Sequence, residues 1–261
     1  MQQPTKSDVR WEWISEGFNL YSAQWQNWIV LALIALVIFG VVVTPFYVLI
    51  FGAEFAASRG GDSSDISSVM AGGSLLLRLV LQIVISVVSA LLSAGFYRAA
   101  FTQLRGGQVS VNDLKEVFQY LGPMLGAGII LGILQGIGTM LCCIPGFIVA
   151  GLFMFTYPLI IERNLGMFDA MSQSLDVTKK NFIMFTLLAI VVQFIIPIIG
   201  AALCLVGLLV AYPLIFLTIA CAYRDCYGLS GGGGNYDSYA PPPPPSYGGY
   251  EPPPPPPSSW Q

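Results

Sequence analysis

The sequence predicts an all-α polytopic membrane protein, a bundle of six transmembrane helices with short interfacial amphipathic helices beside them and a disordered proline-rich tail. Three observations predict it. Of 261 residues, 55% are hydrophobic and only 10% are charged, whereas a soluble globular domain carries about 25% charged residues. The apolar residues form uncharged runs long enough to cross a hydrocarbon core, which takes about 20 residues per helix. Lys and Arg cluster on alternate flanks of those runs. The runs are continuously apolar, so helices are expected and an alternating β-barrel is not.

Residues 1–27 form the first element. Trp11, Ile14, Phe18, Tyr21, Trp25 and Trp28 recur at helical spacing, with Glu12, Glu16, Asn19, Ser22 and Gln26 off that stripe. Tryptophan and tyrosine favour the headgroup region, so this helix is expected to lie on the inner leaflet and set the depth of the first span; a coiled coil is the competing reading. The segment is too long and too acidic for a signal-peptide n-region, so no cleavage is expected.

The membrane domain occupies residues 28–227. Spans are expected at about 28–52, 74–97, 121–141, 144–161, 182–202 and 204–223. Leu121–Ile161 and Phe182–Tyr223 are uncharged throughout and too long for one helix. They must fold back, the first at Cys142–Gly146 and the second near Gly200–Cys204. The loop 53–73 is Ser/Gly-rich, polar and expected to be mobile. Interfacial helices are expected at Ser110–Tyr120, with Val111, Leu114, Phe118 and Leu121 on one face, and at Phe168–Lys180, with Phe168, Met171 and Leu175 together. With the N-terminus inside, Lys6, Arg10, Arg98, Arg105, Lys115, Arg163, Lys179, Lys180 and Arg224 are cytoplasmic, against Arg59 and Arg78 outside. That bias places both termini in the cytoplasm.

A repeat is visible at an offset of 61 residues. Cys143, Gly146, Val149, Ala150 and Arg163 meet Cys204, Gly207, Val210, Ala211 and Arg224. With Tyr97-Arg98 matching Tyr223-Arg224, we read three copies of one unit: interfacial helix, span out, turn, span in.

Few residues suggest chemistry. The chain has no His, which removes His-based triads, His-metal sites and imidazole acid–base catalysis. A net charge of −3 gives no support for nucleic-acid binding. No Asp, Glu, Lys or Arg stands at a span centre, where ion-coupled pumps usually need one. No cofactor, metal or catalytic set is read from the sequence. Span 2 carries Arg78, Gln82, Ser86, Ser89 and Ser93 on one face, expected to point into the bundle. That face is either a helix-packing seam or the wall of a polar pathway shared with Gln135 and Gln193. Gly128, Gly132 and Gly136 in span 3 are expected to let another backbone approach, within this chain or in a homo-oligomer. Pro45, Pro158, Pro197 and Pro213 lie inside spans, where each frees a carbonyl. Cys142, Cys143 and Cys204 map to the outer turns, either as a Cys143–Cys204 (or Cys142–Cys204) disulfide or as small apolar packers.

From residue 228 to 261 the composition shifts to Gly, Pro and Tyr. Proline runs favour polyproline II, a form that docks to aromatic grooves at little entropic cost. Pro244, Pro245 and Tyr247 match a PPxY ligand. The segment is either a solvated spacer or a docking tail for a cytoplasmic protein.

In order along the chain come Tyr97-Arg98, Gly106–Leu114, Leu141–Gly146, Pro158–Asn164, Asp169-Ala170 with Ser174, Gly207–Val210, Pro213 and Ala222–Asp225. Over roughly residues 10–228 this pattern resembles poorly characterised bacterial six-span membrane proteins. These are the DUF975 and YciC-like families and the membrane domain attached to some glycerophosphodiester phosphodiesterases. The resemblance implies a bacterial inner-membrane address. It does not bring the phosphodiesterase activity, whose soluble barrel and His residues this chain lacks. The sequence thus leads to a non-enzymatic scaffold with the lipid bilayer and a tail-bound protein as partners, with a carrier or channel for a neutral or lipid-like solute as the alternative.

Overall fold

The computed structural model describes residues 9–59, 64–110, 117–141 and 143–229. Among these there is no strand; ten α-helices follow in order. They are α1 (Glu12–Ala23), α2 (Trp25–Arg59), α3 (Ser64–Leu104), α4 (Leu121–Leu141), α5 (Cys143–Leu152), α6 (Thr156–Arg163), α7 (Met167–Thr178), α8 (Phe182–Ile190), α9 (Ile196–Ala202) and α10 (Cys204–Tyr227). Six stretches are long and apolar enough to cross a membrane, and the protein is a multi-pass, all-α membrane bundle.

Both long apolar runs fold back where turns were expected. α4 ends at Leu141 and α5 begins at Cys143, and α9 gives way to α10 at Leu203. Each turn is closed by glycines that let two backbones touch. A Cβ at Gly138 would stand 2.8 Å from the Gly146 nitrogen, and one at Gly200 would stand 2.9 Å from the Gly207 carbonyl oxygen. Gly146 and Gly207 are the repeat-related pair at offset 61, so the two hairpins share a closing device.

The first hairpin differs from the expectation. Residues 53–59 and 64–73 are helical rather than loop, because Ala, Ser and Glu in that segment are compatible with continued helix. At 1.5 Å per residue, α2 and α3 run about 52 and 61 Å, well beyond a core of about 30 Å. At its other end α3 passes the expected limit at Tyr97 and stops at Leu104, where Gly106 adopts φ 81°.

Proline explains two departures from regular helix. Span 4 is broken at residues 153–155, between α5 and α6. Pro158 follows one turn later, where its ring and missing N–H disfavour helix across residue 154. In span 5, residues Val191–Ile195 form a π-turn just before Pro197. Pro45 and Pro213 are accommodated inside α2 and α10. The core is richest at the end where α3, α6 and α10 terminate. Phe96, Phe101, Phe155, Phe185 and Tyr223 are fully buried there, with rings of Phe101 and Tyr223 in edge contact at 5.3 Å.

Candidate functional site: the end of the bundle that carries the chain termini

At this end, α1 lies on α10. Trp13, Gly17 and Tyr21 recur every fourth residue and form its inward face. Gly17 sets the approach: a Cβ there would stand 3.0 Å from Thr218 Oγ1 and 3.1 Å from the Thr218 nitrogen. Trp13 is fully buried and its indole N–H donates to Asp225 Oδ2 at 2.8 Å. Arg10 donates to the same oxygen at 3.0 Å, and Arg224 reaches Glu16 at 2.7 Å and Asp225 at 2.8 Å. The two ends of the membrane domain are therefore clasped by an alternating chain of guanidinium and carboxylate groups.

The corner between α1 and α2 is held by two side-chain amides. Gln24 donates to the Gly107 carbonyl at 3.0 Å and accepts from the Val109 N–H at 2.9 Å. The Trp28 indole donates to Gln103 Oε1 at 2.7 Å, and Gln103 donates on to the Leu20 carbonyl at 2.6 Å. Each amide uses a donor and an acceptor on backbone or indole groups, so the corner has a fixed angle.

The partners on the other side of α10 come from α6 and α7. Arg105 pairs with Glu162, whose side chain is almost wholly buried. Arg163 donates to the Tyr227 carbonyl at 2.7 Å and stacks over the Tyr227 ring, completing the last turn of α10. The Tyr227 hydroxyl donates to the Gln173 carbonyl at 2.8 Å. α7 repairs the break in span 4. Ser174 and Thr178 are fully buried, and their hydroxyls donate to the Leu152 carbonyl at 2.9 and 2.7 Å. Ser174 Oγ also accepts from the Phe155 N–H. Two hydroxyls thus replace the main-chain bonds that the break forfeits, which an apolar interior requires.

The expected polar face of span 2 is not one surface. Arg78, Gln82 and Ser86 are exposed rather than turned into the bundle, and only Ser89 and Ser93 are half-buried. Gln82 and Ser86 lie within the Val80–Leu104 stretch that is long and apolar enough to span, but the buried part of α3 is concentrated at its other end, from Leu92 to Phe101. Ser86 satisfies itself on the Gln82 carbonyl, and Ser93 shares a hydrogen bond with Tyr212. Gln135 and Gln193 are half-buried on other helices, Gln193 inside the π-turn of span 5. Of the expected glycines, Gly128 meets the Tyr157 hydroxyl, while no described residue of this chain approaches Gly132 or Gly136. The close approaches belong instead to Gly17, Gly138, Gly146, Gly151, Gly200 and Gly207. The side chains of Cys143 and Cys204, and the motif Pro244, Pro245 and Tyr247, lie outside the described residues.

The interfacial stripes are corrected as well. Of the expected N-terminal stripe, which runs through α1 into the start of α2, Trp11, Phe18 and Trp25 face outward while Tyr21 and Trp28 face inward. In α7, Phe168 is exposed, the expected Met171 is buried and Leu175 half-buried, and the inward face is completed by Ala170, Ser174, Val177 and Thr178. Residues 111–116, which hold most of the second expected helix, lie outside the described residues; Val117–Tyr120 is a 3-10 turn. Trp13, Gln24, Gln103 and Ser174 received no role in the sequence reading. A signal existed for one: a Gly, Gly17, one turn from Trp13 on an otherwise bulky helix.

Comparison with known proteins adds relatives but no activity. No family model matches the chain, and no solved structure matches it. An uncharacterized protein of Mycobacterium bovis is 31% identical over 112 residues, 43% of this chain and 33% of that protein. Two uncharacterized proteins from Mycobacterium tuberculosis strains match over the same length at 31% and 30% identity. The chain spans about a third of the length of the curated relatives it matches.

Proposed function

We propose that this protein is a non-enzymatic scaffold of a bacterial inner membrane, with both termini cytoplasmic and a proline-rich tail that docks a cytoplasmic protein. Kinship with the DUF975 and YciC-like families is part of that proposal. The observation that carries it is the clasp at the root of the tail. Trp13, Arg10 and Glu16 hold the last turn of α10 from one side, and Arg163 and Gln173 hold it from the other. Carboxylates Glu16, Glu162 and Asp225 are each engaged by a guanidinium. This arrangement joins elements far apart in sequence and holds the last turn of α10, which the proline-rich segment follows in sequence. The experiment is deletion of Gly231–Gln261 beside Tyr247→Ala. Both variants keep the bundle folded and lose a cross-linked partner that the full chain retains. An unchanged set of partners in the two variants removes the reading.

A second reading, a carrier for a neutral or lipid-like solute, has one observation in its favour. Span 4 is broken and span 5 holds a π-turn carrying Gln193, and the two spans touch where Gly151 meets Thr186. Interrupted helices often border binding sites in transporters. Here the test is thiol labelling: cysteines at Gln193 and at Ser89 react with membrane-impermeant reagents if a wet path exists, and protection at both removes the reading.

A further inference from the structure

Once docked on α10, α1 still has two other sides. Glu12 and Asn19, seven residues apart and both exposed, form a polar side, and Ser15 and Ser22, each hydroxyl bonded to its own helix three residues back, lie between that side and the last edge. The remaining edge is aromatic. Trp11, Phe18 and Trp25 recur every seventh residue and are 46%, 51% and 51% exposed. Trp25 opens α2, and Leu36, eleven residues or about three turns on, continues that face and is likewise half-exposed. Trp25 thus stands just past the corner at Gln24, at the start of the outward apolar face of the first span. Phe118, before α4, and Phe168, at the start of α7, are also exposed.

We propose that Trp11, Phe18 and Trp25 form an interfacial lipid-binding edge that seats α1 in the headgroup region of the leaflet at the chain-terminal end. Trp13, Tyr21 and Trp28 serve the protein core instead. The occupant is lipid because Trp25 opens a helix long and apolar enough to span, with Leu36 on its outward face, and because the neighbouring side of α1 carries exposed Glu12 and Asn19. A helix with one side on protein, one side apolar and one side polar matches the boundary between acyl chains and water. Half-exposed tryptophan suits that boundary, where the ring is buried and the N–H stays wet. Such helices sit about 5–10 Å into the headgroup and acyl boundary.

The test is fluorescence quenching of the full chain in phosphatidylcholine vesicles whose acyl chains carry bromine near the headgroup or near the chain end. Trp11→Phe and Trp25→Phe each lower the quenched fraction, and bromine near the headgroup quenches the lost component roughly twofold more strongly than bromine near the chain end. Trp13→Phe and Trp28→Phe do not lower it. Trp11→Tyr and Trp25→Tyr, chosen to keep an interfacial ring, serve if a phenylalanine variant fails to fold. The proposal is overturned if the quenched fraction is unchanged in the Trp11 and Trp25 variants. Quenching of those indoles by aqueous acrylamide would then place the edge in water, and quenching by neither reagent would place it under protein, including a second copy of this chain.

Discussion

Helices α1 and α7 occupy the same end of the bundle and look alike in sequence, yet they are held by opposite chemistry. α1 is clasped by Trp13–Asp225, Arg10–Asp225 and Glu16–Arg224, groups that remain 18–46% exposed apart from the indole. α7 is held by two neutral hydroxyls with no exposure at all, Ser174 and Thr178, placed against a broken span. Exposed charge pairs are worth about 0–1 kcal/mol each and weaken with salt. A buried hydroxyl that replaces a lost main-chain bond is different: removing it strands a group in an apolar interior at about 1–3 kcal/mol. The lesson is that α1 owes its position to one buried indole and a close glycine contact more than to its ion pairs, while α7 owes its position to the break it repairs.

Thermal unfolding in detergent can break that comparison. The largest effect is expected for Trp13→Ala, which empties a fully buried aromatic site at about 3–5 kcal/mol; a loss no larger than that of Arg10→Ala would mean the ion pairs hold α1. Next comes Ser174→Ala, which strands the Phe155 N–H. It lowers stability by about 1–3 kcal/mol with no dependence on salt, and a salt-sensitive loss would contradict the hydroxyl repair. Gly17→Leu overpacks the Thr218 contact and costs about 1–3 kcal/mol; undiminished stability would show that α1 does not sit against α10. Arg10→Ala costs under about 1 kcal/mol, and raising salt erases the difference from wild type.

The smallest effect concerns Tyr21. Its hydroxyl is buried with no hydrogen-bond partner among the described residues, and burial pushes the phenol above its ordinary pKa. Tyr21→Phe is therefore neutral or slightly stabilising. The sign of the pH effect follows: the neutral phenol is the form favoured by folding, so its contribution is complete below the ordinary phenol pKa of about 10 and falls as pH rises beyond it. Tyr21→Phe removes that share of the alkaline loss, and an unchanged alkaline profile would argue that Tyr21 is wet.

The spans and both hairpin turns were legible because a hydrocarbon solvent leaves an apolar run few options. Cys142–Gly146 and Gly200–Cys204 marked the reversals; α4 ends at Leu141 with α5 beginning at Cys143, and α9 gives way to α10 at Leu203. The docking faces were less legible. From α1 into the start of α2 the conspicuous ring stripe mixed outward Trp11, Phe18 and Trp25 with inward Tyr21 and Trp28, and it passed over Trp13. In α7 the apolar Phe168 faces away while small Ser174 and Thr178 go in. Periodicity reports that a helix has an apolar side, but in a membrane protein lipid and protein core both claim such a side. Span 2 differed for another reason: Arg78 and Gln82 share a face with Ser93, but α3 is buried mainly toward its end at Leu92–Phe101, and the same face is exposed earlier along the helix.

What the sequence determined by itself is the solvent and the order of the spans: charge-free runs of bilayer length and glycine- and proline-marked reversals. These are local properties, set by the cost of leaving backbone or charge in hydrocarbon. Only the tertiary structure decided which side of each helix meets protein, which carboxylate meets which guanidinium, and that Ser174 and Thr178 complete a span broken upstream of Pro158. Those pairings join residues up to 215 positions apart, and no local pattern encodes a partner at that distance.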